Sequence, residues 1–366
     1  MTTGHVTRDA FITRARDARV IAALAAILLV ALLLVVNSRR HTVETGRCSL
    51  SSRLVPSCGV LLGVTLASPK GPPLTALESA VRRKFDLVYA FHGIDHPELT
   101  AEERAATDGG RVLHLNVEAR EFGVPGHPPV RWSEITAGRW DEPLRRLAAE
   151  LASLDRPVFL TFDHEVDSAK KLDVRGTAGE YVAAWRHLHR LFAEVGAKKV
   201  VWVWVVTGSN RNWSRVPDVY PGNSYVDWLS WDPYNSSGCR DRAVNPSEWR
   251  SFKATVQPFY EWLQTNGKAA GIDIGKPYML SEFGTVSDPD DPTAAARWYD
   301  AIPGALKTFP KLKALTLWNS AQAACDYRID PSAQTLHAFA QMSHSSVFTR
   351  AATALAAAGS GKQQSR

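Results

Sequence analysis

The stretch Pro157-Val-Phe-Leu-Thr-Phe-Asp-His-Glu165 is a short apolar run that ends in a carboxylate, and Pro277-Tyr-Met-Leu-Ser-Glu282-Phe-Gly284 follows the same plan. Both runs lack polar alternation, which is typical of parallel strands that are buried on both faces. The proline before each run fits a loop that enters a strand. In a barrel of parallel strands, a carboxylate at the C-terminal end of a strand faces the site rather than the core. The two stretches therefore predict strands that present Glu165 and Glu282 to a common cleft.

Six further apolar runs accompany these two, and amphipathic helical stretches lie between them. The eight predicted strands are Val60–Leu66, Leu87–Phe91, Val112–Val117, Val158–Phe162, Val200–Val206, Trp228–Trp231, Tyr278–Ser281 and Ala314–Trp318. The main competitor is a doubly wound open sheet, which normally carries a glycine-rich phosphate-binding turn after an early strand, and the sequence has no such turn. We therefore predict an α/β fold in which residues 59–344 form a (β/α)8 TIM barrel.

An unbroken apolar run, Val20–Val36, precedes the predicted barrel and lies at the short end of what can span a bilayer. Arginines precede it, as in a signal sequence, but Asn-Ser-Arg-Arg-His follows it instead of a small-residue cleavage site. We predict a basic segment at 1–19 and an uncleaved transmembrane signal-anchor at 20–36, with a cleaved signal peptide as the alternative. The body would then lie outside the cell, attached to the membrane by this helix, or be secreted.

Two flanking segments complete the predicted organisation of the chain. Residues 37–58 are expected to be a linker, and the low-complexity residues 345–366 a flexible tail. The net charge is +6, and part of it belongs to arginines around the apolar run. The remaining body is nearly neutral, so we expect no nucleic-acid partner. We expect a monomer.

The four cysteines, Cys48, Cys58, Cys239 and Cys325, form an even set in an exported chain, so disulfides are the default expectation. Of the three possible pairings, Cys48–Cys58 with Cys239–Cys325 is favoured, because the second two follow strands that would be neighbours but one. Free buried thiols are the alternative. The sequence has no Cys-x-x-Cys and no His-Glu-x-x-His, so we predict no metal site and no cofactor.

Hydrolysis of a glycosidic bond by an enzyme requires at least two carboxyl groups, and here they would come from different strands. Retention of anomeric configuration requires the two groups about 5 Å apart, one acting as acid/base and the other as nucleophile. The acid/base must start protonated, so burial and the other carboxylate must raise its pKa. Spacing alone does not assign the two roles to Glu165 and Glu282. The alternative is that either glutamate is a salt-bridge partner at the barrel mouth.

Four short motifs follow predicted strands four, six, seven and eight. They are His164-Glu165, Trp231-Asp232-Pro233-Tyr234, Ser281-Glu282-Phe283-Gly284 and Leu317-Trp318-Asn319. In order and strand position they resemble the family 26 glycoside hydrolases, the β-mannanase-like members of the retaining (β/α)8 clan A glycosidases, from about Val60 to Phe339. The resemblance implies that Glu165 is the acid/base and Glu282 the nucleophile. It also implies that His164 contacts the sugar or the nucleophile, that Tyr234 bonds the nucleophile, and that Trp318 is the sugar platform beside the scissile bond.

The segment around the implied acid/base departs from the family pattern, which reads like Arg-x-x-His-Glu-Met-Asn-Gly. Here Thr161 stands at the arginine position and Asp167-Ser168 at the Asn-Gly position. Our first hypothesis is a retaining endo-β-glycosidase that acts without cofactor on an extracellular β-linked polysaccharide, with β-mannan implied by the resemblance. The alternative is a catalytically silent carbohydrate-binding barrel displayed at the cell surface.

Several further residues lie near predicted strand ends. Twelve tryptophans are many for 366 residues and can serve either barrel packing or sugar stacking. We take Trp204, Trp231 and His92 as further candidates for substrate binding. For Trp204, a position in the hydrophobic core is an equal alternative. Asp163 and Asp167 bracket Glu165, where they could tune its pKa or cap a loop. Asp232 is expected to be a structural hydrogen-bonding residue.

Overall fold

Eight parallel strands close into a barrel in the computed structural model, which describes residues 48–65, 73–237, 239, 249–288, 290–322 and 325–360. The strands are β1 Leu61–Thr65, β2 Leu87–Gly93, β3 Val112–Glu118, β4 Val158–Phe162, β5 Val200–Val206, β6 Trp228–Trp231, β7 Tyr278–Thr285 and β8 Leu312–Leu317. Each strand pairs with the next along the chain, and β1 pairs with β8. The prediction of a (β/α)8 barrel is confirmed, and every predicted strand overlaps an observed one.

Helices connect the strands and cover the outside of the barrel. They are α1 Leu74–Val81, α2 Ala101–Asp108, α3 Trp132–Thr136, α4 Asp141–Ser153, α5 Ala169–Arg175, α6 Ala178–Val195, α7 Phe252–Asn266, α8 Ala294–Asp300, α9 Ile302–Ala305, α10 Ala333–Ser343 and α11 Ser346–Ser360. A capping box begins α6, because Thr177 and Glu180 each accept a hydrogen bond from the other's backbone N–H.

Alternate side chains along each strand enter two separate apolar layers. One layer fills the barrel interior and takes at least one residue from every strand: Leu61, Leu87, Val112, Phe159, Val203, Trp228, Met279 and Ala314. The other layer lies between the strands and the helices, and it includes Trp202 and Trp204 of β5. Polar side chains facing inward at the C-terminal strand ends therefore stand above a filled barrel, as in other TIM barrels.

Two segments cover the N-terminal end of the barrel, and both are more ordered than the sequence predicted. The loop closed by Cys48 and Cys58 buries Leu54 against the interior layer, although 37–58 was expected to be a linker. Residues 345–366 were expected to be flexible, yet 346–360 form α11. Phe348 and Ala351 lie one helical turn apart and are buried against the body of the protein, which explains why this alanine-rich segment is ordered.

The predicted basic segment 1–19 and membrane segment 20–36 lie outside the described residues. Among the helices that the structure does describe, none is both long enough and apolar enough to cross a bilayer. Both predicted disulfides, Cys48–Cys58 and Cys239–Cys325, are formed.

Candidate active site

Acidic side chains from four strand ends meet at the C-terminal mouth of the barrel. Glu118 ends β3, Glu165 follows β4, Asp232 follows β6 and Glu282 lies within β7. The side chain of Glu282 is only 7% exposed, whereas Glu165 is half-buried. Burial, followed by the negative charge of Glu165, raises the pKa of Glu282 to about 8. The two glutamates predicted to share a cleft therefore interact electrostatically.

The chain leaves β4 through an unusual turn that carries Glu165. Asp163 and Glu165 have φ angles of 53° and 51°, in the left-handed region that residues other than glycine seldom adopt. The Asp163 N–H still donates to the Val117 carbonyl at 2.9 Å, and the Glu165 N–H donates to the Val205 carbonyl at 3.0 Å. The turn is thus tied to β3 on one side and β5 on the other. Backbone strain of this kind is concentrated at functional sites.

Asp163 holds this turn to the neighbouring helices. Its fully buried carboxylate accepts hydrogen bonds from Trp132 Nε1 at 2.8 Å, from Lys171 Nζ at 3.2 Å, and from Arg175. Asp167, on the other side of Glu165, accepts from the Thr207 N–H at 2.8 Å and the Thr207 hydroxyl at 2.6 Å. Both aspartates are therefore engaged in fixing the loop around Glu165.

Glu282 is held by groups on two neighbouring elements. Tyr234 donates its hydroxyl hydrogen to Oε2, and the Glu282 backbone N–H donates to Asp232 Oδ1 at 3.0 Å. Tyr234 is positioned because the two-residue strand Tyr234–Asn235 pairs in parallel with the end of β7, opposite Gly284. Asp232 acts as the structural hydrogen-bonding residue that the sequence predicted. Its own pKa is raised by burial and by Glu282.

His164 faces Glu282 with a defined protonation state. Asn116 Oδ1 accepts from the His164 backbone N–H at 3.3 Å, so Asn116 Nδ2 is the atom that donates to His164 Nδ1 at 2.8 Å. The ring proton therefore resides on Nε2, which lies 3.8 Å from Glu282 Oε1. Burial and the positive charge of Lys171 lower the pKa of His164 to about 3, which keeps the ring neutral.

A metal ion is a poor fit to this cluster on chemical grounds. His164, Asp232 and Glu282 can each offer one ligand atom within 4.8 Å of the others. A metal would need the lone pair of His164 Nε2, but Asn116 already uses the Nδ1 lone pair and so places the proton on Nε2. The three residues instead hydrogen-bond within the protein, Glu282 with Tyr234, Asp232 with the Glu282 backbone N–H, and His164 with Asn116.

Aromatic rings form one wall beside His164. Phe91, near the end of β2, lies edge-on to His164 with a centroid distance of 5.3 Å and edge-on to Trp318 at 5.7 Å. Trp318 follows β8 directly and its backbone N–H donates to the Phe283 carbonyl at 3.0 Å. The structure therefore brings together Glu165, Glu282, His164, Tyr234 and Trp318.

His92 does not reach this cluster. It follows Phe91, so strand alternation turns its side chain to the outside of the barrel. There its Nε2 lies 2.7 Å from Oε1 of Glu103 on α2.

Trp204 and Trp231 also point away from the cluster, into the layer between strands and helices. Trp204 Nε1 donates to the Val219 carbonyl at 3.1 Å, and its ring packs on Tyr220. Trp231 packs its ring against Phe259 of α7 at 5.5 Å. His92 and these two tryptophans were candidates for substrate binding, and the structure places each of them in packing between the barrel and its outer shell.

Three residues of the cluster were not singled out from the sequence. Asn116 and Glu118 alternate with apolar residues in β3, and this polar alternation at a strand end was the signal that could have found them. Lys171 lies six positions after Glu165 on α5 and has no comparable local signal. Burial opposes the charge on Glu118, but neighbouring positive charges, including Lys171 and Arg175, hold the pKa of this carboxyl below its usual range.

Comparison with known proteins identifies similar chains. No protein-family model matches this chain. Endoglucanase H of Acetivibrio thermocellus is 24% identical over 291 residues, which cover 77% of this chain and 30% of that protein. This chain therefore spans less than a third of the length of the curated relative.

Solved structures of glycoside hydrolase family 26 share the fold. A β-mannanase from Bacteroides ovatus matches with a TM-score of 0.58 and 17% identity, covering 79% of this chain and 89% of that one. The family 26 domain of an endo-β-mannanase/endo-β-glucanase from Prevotella bryantii matches with a TM-score of 0.57 and 13% identity, covering 81% and 92%. An endo-β-1,4-mannanase from Cellulomonas fimi matches with a TM-score of 0.56 and 18% identity, covering 81% and 74%. The resemblance to family 26 is confirmed at the level of the fold.

Proposed function

We propose that this protein is a retaining endo-β-glycosidase in which Glu165 is the acid/base and Glu282 the nucleophile. The observation that carries this proposal is the buried Glu282, held by Tyr234, next to a second glutamate from another strand. A carboxylate with a purely structural role in this position would be expected to lie in direct contact with a positively charged side chain. Instead, the charged side chain that acts most strongly on Glu282 is another carboxylate, Glu165, which together with burial raises the pKa of Glu282.

In the proposed first step, Glu282 attacks the anomeric carbon while the bond to the leaving oxygen breaks and Glu165 protonates that oxygen. In the second step Glu165 removes a proton from water, the water oxygen attacks the same carbon, and the bond to Glu282 breaks. The raised pKa of Glu282 means that a proton is retained between the two carboxyl groups near neutral pH. A pKa of about 8 leaves that proton on Glu282 at pH 7, so attack requires its transfer to Glu165, and Tyr234 and Lys171 assist this transfer because both favour the ionised form of Glu282.

The neighbouring groups have roles consistent with this scheme. His164 offers the Nε2 proton to a sugar hydroxyl or to Glu282. Trp318 and Phe91 offer the flat and edge-on aromatic surfaces on which sugar rings pack.

We propose β-mannan as the first substrate to test and β-glucan as the second. The solved structures with this fold are named as mannanases, and the curated relative is named as an endoglucanase. The purified protein should be incubated with mannans, β-glucans and xylans, and the release of reducing ends measured. Release that disappears in both Glu165→Ala and Glu282→Ala supports the proposal. Saccharide binding without release, unchanged in both variants, contradicts it and indicates a carbohydrate-binding barrel.

We also propose that the barrel lies outside the cell, attached through the apolar run Val20–Val36 or released by its cleavage. The two disulfides support an oxidising compartment. Protease added to intact cells should degrade an extracellular barrel, and full protection in cells that express it would contradict this location.

A further inference from the structure

Lys171 of α5 is a largely buried lysine beside the proposed catalytic pair, with 16% of its side chain exposed. We infer that Lys171 is a positioning residue that fixes the turn carrying Glu165 and supplies the positive charge that balances the two catalytic glutamates. The inference rests on the proposed function for its catalytic consequence. Its structural part, the effect of Lys171 on the turn and on Glu282, can be measured without any turnover.

The contacts of Lys171 are to the two residues that precede Glu165. Its Nζ lies 3.2 Å from Asp163 Oδ1 and also donates to the carbonyl oxygen of His164. That carbonyl belongs to the same peptide group as the Glu165 N–H, which donates to the Val205 carbonyl at 3.0 Å. Both ends of the peptide are therefore held, one by Lys171 and the other by β5.

This restraint acts on a strained segment of the backbone. Asp163 and Glu165 both adopt left-handed φ angles, a conformation that is strained for a residue other than glycine. Such a turn persists only when its surroundings hold it, and Lys171 is the side chain that contacts its central carbonyl. Loss of that contact is expected to displace the carboxyl group of Glu165 relative to Glu282.

The charge of Lys171 is the second part of its role. Burial lowers the pKa of Lys171, and carboxylates from four strand ends favour its charge: Glu118, Glu165, Glu282 and Asp232. Asp163 is its direct partner. Arg175, on the same helix, is directed instead to Asp163 and to Glu118, 3.4 Å away. The charge of Lys171 lowers the pKa of Glu282, against the larger opposing effects of burial and of Glu165 and Glu118.

The cation beside this turn comes from α5 and not from the strand that precedes the turn. Thr161 is the one polar residue of β4, and its hydroxyl is engaged with His114 Nε2 at 2.8 Å and the Val203 carbonyl at 3.0 Å. The carbonyl carries no charge, and His114 is neutral because burial lowers its pKa to about 3. The strand itself therefore contributes no cation here, and α5 supplies one.

Two variants separate the parts of this role. Lys171→Gln removes the charge and retains a hydrogen-bond donor, whereas Lys171→Met removes both. The ionisation of Glu282 should be followed by the ¹³C NMR shift of its carboxyl carbon against pH in the full chain. We expect both variants to raise the pKa of Glu282 by about one unit, because each removes a nearby opposite charge. This titration requires no turnover, so it decides the charge part of the inference even if no polysaccharide is hydrolysed.

The kinetic readout addresses positioning. Kinetics should be measured with whichever of the mannans, β-glucans or xylans the protein hydrolyses. Lys171→Met should lower kcat about a hundredfold with little change in KM, because a small displacement of a catalytic group has effects of this order. Lys171→Gln should lose less, and in both the acid limb of the pH profile should move to higher pH.

The matched control is Arg83→Met. Arg83 is also a buried cation, bonded to Asp86 at 2.9 Å and to the Ser343 carbonyl at 2.6 Å, outside the catalytic cluster. We expect this variant to lose stability and to keep the Glu282 titration and the pH profile of the native protein. Unchanged titration of Glu282 in both Lys171 variants, or a loss of stability alone as in Arg83→Met, would overturn the inference.

Discussion

Tyr234 donates its hydroxyl hydrogen to Oε2 of Glu282, and both residues are positioned by one pairing of short parallel strands. Tyr234 lies opposite Gly284, two positions after Glu282 in β7. The Tyr234 ring also packs against the Tyr327 ring, at a centroid distance of 4.7 Å. The phenol is thus held from two sides, which fixes the orientation of the carboxylate before any substrate arrives.

We expect Tyr234→Phe to lower kcat/KM by about ten- to a hundredfold, since it removes one oriented donor at a charged group. Tyr234 lowers the pKa of Glu282 by donating to its ionised form, so its loss should raise that pKa. The acid limb of the pH profile of kcat/KM should therefore move to higher pH. Tyr220→Phe is the control, because the Tyr220 hydroxyl bonds Asn223 Oδ1 at 2.7 Å outside the cluster. An identical profile in the two variants would contradict the assignment.

Asn116 sets the tautomer of His164, and the substitution Asn116→Asp should reverse it. A carboxylate in place of the amide can only accept, so it should draw the ring proton to Nδ1 and leave Nε2 as an acceptor facing Glu282. We expect an approximately hundredfold fall in kcat/KM and exchanged ¹⁵N shifts of the two His164 ring nitrogens. Unchanged ring shifts would show that another group determines the tautomer.

The two disulfides should differ in their effect on activity. Cys325 lies two residues before Tyr327, whose hydroxyl lies 2.8 Å from Ser236 Oγ and whose ring supports Tyr234. Replacing Cys239 and Cys325 by serine should lower both Tm and kcat. It opens an 86-residue loop, and bridges of this kind contribute about 2–5 kcal/mol.

The control for that experiment is the double serine variant of Cys48 and Cys58, whose bridge lies at the opposite end of the barrel. We expect this variant to lower Tm and to leave kcat unchanged at temperatures where the protein is folded. Equal losses of kcat in the two double variants would show that neither bridge acts through Tyr234.

The strands could be predicted from sequence, whereas the direction of their side chains could not. A parallel strand buried on both faces is a continuous apolar run, which marks the strand clearly and hides which residues face the mouth. For this reason Glu165, Glu282, Tyr234 and Trp318 were located from the strand ends. His92, one position from an inward side chain, was assigned to the wrong face.

The remaining misses have different physical causes. Small residues dominate the segment 346–360 and predict a tail, but Phe348 and the alanines Ala351 and Ala354 are buried against the body of the protein. Lys171 belongs to the site through the packing of α5 over the mouth, a tertiary relationship that no local pattern in the sequence reports.

Trp318 and Trp204 provide a test of the two faces of the barrel. Trp318→Ala should raise KM about fivefold, because an aromatic surface of this kind contributes about 1 kcal/mol beyond its buried area. Trp204→Phe should lower Tm and leave KM unchanged, since its ring packs on Tyr220 in the outer layer. A KM effect of Trp204→Phe equal to that of Trp318→Ala would contradict the placement of these residues.

Glu282 is expected to make the native protein less stable as pH rises. The ordinary pKa of a glutamate is 4.5, and that of Glu282 is about 8 in the folded protein, where burial and Glu165 oppose ionisation. The folded state therefore binds more protons than the unfolded state between these two values, and stability must fall across that range.

Glu282→Gln removes this titration, so the free energy of unfolding of the variant should fall less than that of the native protein between about pH 5 and pH 8. Each pKa unit of the shift corresponds to about 1.4 kcal/mol, so the difference should be measurable by urea denaturation at a series of pH values. Glu261→Gln, at an exposed position on α7, should follow the native protein across the series. If the curves for Glu282→Gln and the native protein run parallel, Glu282 is ionised throughout. In that case, burial at the site does not oppose the charge on which the proposed nucleophile depends.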